Sequence, residues 1–471
     1  VLKSRYKSDV FSSFTSLYFS FFALKQLFMF IPKFLLSAAA VLFGASAVAQ
    51  NETTLKQCIE YGIQNSLTLQ KASLEVDKNK QKEKEVLSTG LPQINSNFTF
   101  NDNLNLLTQL IPGEIIGKPG TLIPARFGTQ YNFTAGFTAS QMIYNQTLLV
   151  GVKAARVAED LANLGVEKTQ QQLIYDISTA YYAAQISNVQ KEIVESNLKK
   201  VSKLKLVTKS QYENGLAKKT DYDRLQVSET NLQTELENID QTAEYQAGML
   251  KFFMGMRLDS ALKISKLIEP SALQLSTPQH NVANNIDVRI VESQKELNEL
   301  NIKQFYAGYV PALNANATYN WQNMGNEVHL VGENANWYNN TMVGLSLTVP
   351  IFDGLNKHYK ATQAKIQQEQ LDLDALNLAE SIRLQNQNAY NKLKASKASV
   401  RVQEKNMKLA EEIYTSTQEQ YNGGLVSLSE LMNAETAQKE AQNNYLRALV
   451  QVKLAELDLL KTSGNIDSII K

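Results

Sequence analysis

Only one cysteine, Cys58, stands in the 471 residues, which excludes an internal disulfide and any cysteine-rich metal cluster. The place expected for it is a buried one on a helix. Histidine is almost as scarce. His280, His329 and His358 are scattered, with no paired-histidine spacing such as HExxH. There is no GxSxG elbow and no phosphate loop either, so the sequence reads as a non-enzyme with no catalytic, cofactor-binding or metal residues. Charge of one sign is not in excess, with Lys+Arg 47 against Asp+Glu 46, and nothing marks a nucleic-acid partner. Past the first fifty residues no apolar run approaches the ~20 residues that a membrane-spanning helix needs. Helix breakers are few, 9 prolines and 21 glycines, and mostly clustered, so long stretches of chain have none.

What is present begins at the N-terminus. Met29-Phe30-Ile31-Pro32-Lys33 leads into an apolar run from Phe34 to Val48, closed by Ala47-Val48-Ala49. A short basic region, a hydrophobic region and a small-x-small site make a secretory signal peptide over 1–49, cleaved after Ala49. Residues 1–28 are aromatic and Ser-rich and read as a mis-extended start or a long n-region. An anchor from Phe11 to Val48 is the competing reading, but Lys25, Pro32 and Lys33 interrupt it.

The rest of the chain is written twice. Gly90-Leu91-Pro92 recurs as Gly308-Tyr309-Val310-Pro311, and Gln141-Met142-Ile143-Tyr144-Asn145 as Val349-Pro350-Ile351-Phe352-Asp353. Gln211-Tyr212-Glu213-Asn214-Gly215-Leu216 returns as Gln420-Tyr421-Asn422-Gly423-Gly424-Leu425. Three matches in one order predict two repeats, 50–264 and 284–471, joined by a linker over 265–283 that holds Pro270 and Pro278.

Each repeat opens with a helical stretch, 52–89 and about 284–307, and a proline then starts a strand. Ile94, Ser96, Phe98 and Phe100 alternate with Asn95, Asn97, Thr99 and Asn101. Phe133, Ala135 and Phe137 alternate with Asn132, Thr134 and Thr138, and the second repeat adds Leu313 to Trp321 and Val343, Leu345, Leu347. Period two with one apolar face is the mark of a strand. The opposite faces hold Asn, Thr, Ser and Gln without Lys or Glu, as on the wall of a water-filled lumen. Each run is also about the 9–11 residues that cross a membrane as a tilted strand. Ile94, Phe98, Phe100, Phe133, Phe137, Leu345 and Leu347 are therefore expected to face outer-membrane lipid. Residues 103–129 and 323–340 join paired strands and are expected outside the cell, with Leu106, Leu107, Ile115, Ile116 and Trp337 over the pore mouth.

After the strands the chain changes character. From Val166 to Asn214 and from Tyr359 to Asn422 there is neither Gly nor Pro, so helices on the order of 75–95 Å are expected. Each is followed by a short Gly turn and another breaker-free run, 216–247 and 425–463, which makes an αα-hairpin. Leu173, Ile177, Ala180 and Ala184, and Leu428, Leu431 and Met432, carry the three- and four-residue steps of coiled-coil-like packing. The turns Asn214-Gly215-Leu216 and Gly423-Gly424-Leu425 then mark the ends farthest from the membrane, with Asp221 and Glu430 at equivalent places in the returning helices.

Four strands cannot close a barrel, and an open edge in lipid leaves backbone groups unsatisfied at several kcal/mol each. Outer-membrane barrels start at eight strands, so two copies are the geometric minimum. Eight strands enclose a lumen that side chains fill, whereas twelve leave a pore, so a channel favours a cyclic trimer.

The chain resembles the TolC-like outer-membrane efflux protein family from Leu55-Lys56-Gln57-Cys58-Ile59-Glu60 to Leu460. The marks that carry the resemblance are the duplicated strand-opening proline, Ile351-Phe352-Asp353-Gly354, and the duplicated turn before Asp221 and Glu430. It implies a homotrimer whose 12-stranded barrel continues as a periplasmic α-helical barrel. It implies further that the turns Asn214, Gly215, Leu216, Gly423, Gly424 and Leu425 dock a periplasmic adaptor (membrane-fusion) protein of an inner-membrane pump. Such a channel passively conducts substrates of a tripartite efflux or type I secretion system to the exterior. In the family an acidic residue after the second turn narrows the tunnel entrance, and Glu430 matches it. The next acidic position of the family is Asn433 here, so a double carboxylate ring is not inherited. The competing reading is a non-conducting structural coiled-coil protein of the cell envelope.

Overall fold

The computed structural model describes residues 52–117, 119–265, 282–332 and 335–470. The signal peptide expected over 1–49, most of the linker with Pro270 and Pro278, and His280 lie outside the described residues. The helices and strands all belong to one unit, Thr54–Lys471.

Two short helices come first, α1 (Leu55–Asn65) and α2 (Leu67–Ser88). The sequence predicts one helical stretch over 52–89, but it is divided at Ser66, which has an extended backbone and serves both helices as a cap. The start of α1 is fixed by a capping box: Thr54 Oγ1 accepts from the Gln57 N–H while Gln57 Oε1 accepts from the Thr54 N–H.

β1 (Gln93–Asp102) then leads through a small hairpin, β2 (Thr108–Pro112) and β3 (Leu122–Arg126), into β4 (Tyr131–Tyr144). The hairpin corrects the expectation of a plain loop over 103–129. α3 runs from Gln146 to Glu213, 68 residues or about 100 Å, and α4 (Lys219–Met254) returns along it.

The second repeat has the same order. α5 (Ile286–Ala307), β5 (Ala312–Gly325), β6 (Trp337–Thr348), the 67-residue α6 (Asn356–Asn422) and α7 (Leu428–Thr462) follow in turn. β5 and β6 reach into the segment 323–340, so the connection between them is shorter than the sequence suggests.

α3 starts twenty residues before the expected Val166 and passes through Gly151 and Gly165. A Cβ on Gly151 would lie 3.4 Å from Gln304 Nε2 and 3.8 Å from Val86 Cγ1. The small residue thus admits α2 and α5 against α3, and packing offsets its weak helix propensity. Asn145 caps the helix, its side chain accepting from the Leu148 N–H at 3.1 Å.

Two cores hold the helices. Near mid-length, Cys58 and Ile59 of α1 pack with Ile174 and Ile177 of α3, Leu250 and Met254 of α4, and Ile466. Burial pushes the Cys58 thiol up to about 12, which fits the expected buried role. Toward the free ends of the hairpins, Val194 and Val201 meet Leu225, Leu232, Tyr414, Leu428 and Leu431. Alongside the mid-length core α3 and α7 run antiparallel and are stitched by polar contacts. Tyr175 donates its hydroxyl to Asp458 Oδ1 at 2.8 Å, and Lys453 Nζ lies 5.6 Å from the centre of the Tyr182 ring.

Candidate functional site

The sheet has the order β1-β4-β5-β6, antiparallel throughout, with β1 and β6 as its edges. Both edges carry an unpaired row of backbone donors and acceptors, the template that another strand can extend.

The registers bring the four alternations onto common faces. Phe100 lies opposite Phe133, Phe133 opposite Asn323, and Asn323 opposite Trp337. Ile94, Ala139 and Ala317 share one row with Val343, and Ala315 faces Leu345 and Leu313 faces Leu347. All seven residues read from sequence as lipid-facing, Ile94, Phe98, Phe100, Phe133, Phe137, Leu345 and Leu347, therefore lie on one side. Six of them are exposed, and Phe133 is half-buried because Trp337 meets its ring edge-on at 5.4 Å. The aromatic contacts cluster on this face toward the loop end: Phe100 stacks on Tyr131 at 6.1 Å, and Trp321 meets Phe137 at 6.1 Å and Tyr319 at 4.5 Å.

The other face is polar and uncharged. Asn316 Nδ2 donates to Ser346 Oγ at 3.1 Å. Gly136 makes room for its neighbour, since a Cβ there would come 1.9 Å from Asn320 Oδ1. Met342 and Tyr338 fall on this face and break its pattern on β6. A single register slip would exchange the two faces. The register is irregular between Met142 and Tyr144, just before α3 begins.

At the far end of the helices the two turns are built alike. Gly215 and Gly424 have φ of 78° and 75°, the left-handed conformation that costs a residue with Cβ energy. Leu216 N–H donates to Gln211 O at 2.7 Å and Gly215 N–H to Tyr212 O at 2.9 Å; Leu425 and Gly424 do the same to Gln420 and Tyr421, both at 2.9 Å. This is the Schellman closure of a helix, in duplicate. Leu216 and Leu425, just past the glycines, are 81% and 79% exposed.

Beyond the turns the repeats diverge. Ser427 accepts from the Glu430 N–H and Glu430 reaches back to the Ser427 N–H, a capping box, whereas Lys218 at the matching place offers no side-chain cap. Asp221 is half-buried, while Glu430 and Asn433 are exposed, with Asn433 one turn further along. The structure brings the two tips together around an open cleft of about 500 Å³ between Leu216, Lys218 and Asp221 on one side and Tyr421, Gly424 and Ser427 on the other. Arg224 spans it, donating from Nη1 to Ser429 Oγ. Sequence reasoning missed Arg224, for which no local signal exists. It also missed Ser427, although Ser427-Leu428-Ser429-Glu430 spells a capping box.

Two turns above the tips sits a charged group inside the distal core. Burial raises the Glu435 carboxyl above its usual range, against the pull of Lys439 and Lys200. Burial likewise raises Tyr414, whose ring lies 5.2 Å from Lys200 Nζ. Lys439 in turn pairs with Glu235 of α4. On α4 itself Glu229 is held below the usual range by hydrogen bonds from Lys205 and Ser202.

Among the described residues no group of three or more His, Cys, Asp or Glu could hold a metal ion. His329 lies 3.0 Å from Glu327 in the β5–β6 loop, and His358 packs edge-on against Tyr359.

Comparison with known proteins agrees with this geometry. The family described as outer membrane efflux protein matches the chain over residues 59–254 and 277–465. The outer membrane protein TolC of Vibrio cholerae is 21% identical over 344 residues, 71% of this chain and 77% of that protein. Among solved structures, CusC superposes with a TM-score of 0.70 at 15% identity, covering 88% of this chain and 95% of that one. The outer-membrane channel CmeC of Campylobacter jejuni gives 0.69 at 12% identity, over 87% and 85% of the two chains.

Proposed function

This chain belongs to the outer membrane efflux protein family, and from that premise we propose that three copies form a channel through the outer membrane. In this reading β1 of one copy pairs with β6 of the next, three four-stranded sheets close a 12-stranded barrel, and no edge is left in lipid. The face of Phe98 and Leu345 meets lipid, and the face of Asn97 and Asn316 lines water. The hairpins α3–α4 and α6–α7 continue the wall into the periplasm, with the tips at the entrance. There Asn214, Gly215, Leu216, Gly423, Gly424 and Leu425 meet a periplasmic adaptor protein that serves an inner-membrane pump. Asp221 and Glu430 narrow the entrance, six acids to a trimer, with Asn433 above them as a neutral place. The channel is a passive duct: the pump supplies the work and the channel the path.

One observation carries this reading. A sheet with an apolar face, an uncharged polar face and two open edges is continuous with helices of about 100 Å. A soluble coiled-coil stalk leaves that sheet without a purpose. Aqueous maleimide labelling of Asn97→Cys and Phe98→Cys in outer membranes tests it. Strong labelling at 97 with protection at 98 is expected, and equal labelling would reverse or remove the assignment of faces.

A further inference from the structure

The β2–β3 hairpin carries an apolar side that none of the described residues covers. Leu110 stands opposite Pro124 and Pro112 opposite Leu122, and Leu110 and Leu122 are both exposed. A two-stranded hairpin alone is marginal in water, so this one needs a surface to rest on. Across the sheet the β5–β6 loop presents Val328 and Val331, the latter 91% exposed. That loop is well held. Asn323 Nδ2 donates to the carbonyls of His329 and Asn336 at 3.0 and 3.1 Å, and Trp337 Nε1 to that of Leu330 at 3.2 Å.

Strand order decides where the two loops meet. The hairpin leaves the edge strand β1 at Asp102, and the β5–β6 loop enters the other edge strand, β6, at Trp337. The registers place Asp102, Tyr131, Gly325 and Trp337 at the same end of the sheet. When β1 of one copy pairs with β6 of the next, the hairpin and the neighbour's loop stand on two sides of one seam. Their charges are complementary as well, Arg126 on the hairpin against Glu327 on the loop, where His329 is its neighbour.

We propose that the β2–β3 hairpin is an intersubunit clasp whose partner is the β5–β6 loop of the next copy of this chain. Leu110 and Leu122 pack on Val328 and Val331 of that copy, and Arg126 approaches its Glu327. Three clasps hold the barrel seams at the rim, where strand pairing ends. The proposal rests on the trimeric reading above and goes beyond it in assigning each hairpin to its neighbour rather than to the pore axis.

Full-length Leu110→Cys and Val331→Cys chains expressed together in intact cells test it, with mild oxidation and a short bis-maleimide run side by side. Disulfide- or maleimide-linked dimers are expected only when both variants are present, and the double variant should give a covalent trimer. Cys58, being buried, contributes no background. Linkage of Leu110→Cys to itself would place the hairpins against one another at the axis, and linkage only within single chains would place the loop on its own hairpin. Either result overturns the clasp, as does no linkage by either reagent. An amine cross-linker on the parent chain reports the trimer separately. A trimer without the mixed link removes the clasp alone, and no trimer removes the reading beneath it too.

Discussion

Ser427 and Glu430 cap one another at the second tip: Ser427 Oγ accepts from the Glu430 N–H at 3.3 Å, and Glu430 Oε2 accepts from the Ser427 N–H at 3.4 Å. At the first tip Lys218 occupies the place of Ser427 and offers no such bond. Ser427→Ala is expected to cost the start of α7 about 1 kcal/mol, and Lys218→Ser to stabilise the start of α4 by a similar amount. Hydrogen exchange at 428–432 and at 219–223 measures both, and equal effects of opposite sign are the expected outcome.

Two glycines at the end of α4 should respond oppositely to the same change. Gly255 has φ of 70°, and a Cβ on it would lie 2.4 Å from Asn65 O, a backbone atom that cannot step aside. Gly255→Ala is expected to destabilise by roughly 1–3 kcal/mol. Gly248 lies within the helix, where a Cβ meets nothing within 4 Å, and Gly248→Ala is expected to stabilise by up to about 1 kcal/mol. Thermal midpoints of the two variants against the parent decide the matter.

The Cys58 thiol should be inert while the protein is folded. Its pKa is pushed up to about 12 by burial, and the thiolate is the reactive form. Because the folded value exceeds the unfolded one, the folded state holds the proton more tightly. Its contribution to stability is complete below about pH 8.5 and is lost as pH rises from there toward 12. Maleimide should modify Cys58 only after denaturation, and fast modification of folded protein at neutral pH would show that the helix contact around it is open.

Glu435 should be a cost to the distal core at neutral pH. Burial raises its pKa, so the folded state binds the proton more tightly than the unfolded state, and stability rises as pH falls through the folded value. The groups facing it are Lys200 from α3, Tyr414 from α6 and Lys439 on its own helix, which also engages Glu235 of α4. Glu435→Gln is expected to raise the thermal midpoint at about pH 8, with a smaller gain at about pH 5, because a carboxyl with a raised pKa is the more protonated the lower the pH. A gain of equal size at both values would mean that the carboxylate is not strained.

Much of this architecture was legible because it rests on periodicity. The alternation from Ile94 to Phe100 and from Phe133 to Phe137 could be satisfied only by strands, and the registers put those residues on one face. The turns at Gly215 and Gly424 were equally plain, since a left-handed helix end calls for glycine. The start of α3 was not, because Gly151 and Gly165 look like breakers, and the packing of α2 and α5 against Gly151 leaves no trace in the local sequence. The β2–β3 hairpin was hidden by Pro112 and Pro124, which sit in strands as residues of an isolated hairpin rather than a wide sheet. Contacts between the repeats, such as Tyr175 with Asp458 and Arg224 with Ser429, join residues more than two hundred positions apart and leave no local trace.

The most direct test of the channel itself is single-channel conductance of the purified, full-length protein in a planar bilayer. Discrete current steps of one repeated size are expected from the parent, and longer or larger ones from Asp221→Ala with Glu430→Ala, because removing six acids from the entrance of a trimer relaxes the groups that narrow it. Unchanged currents in the double variant would leave the acids as helix caps and place the constriction elsewhere. Folded protein that inserts into the bilayer and passes no current, with or without those acids, would contradict the channel.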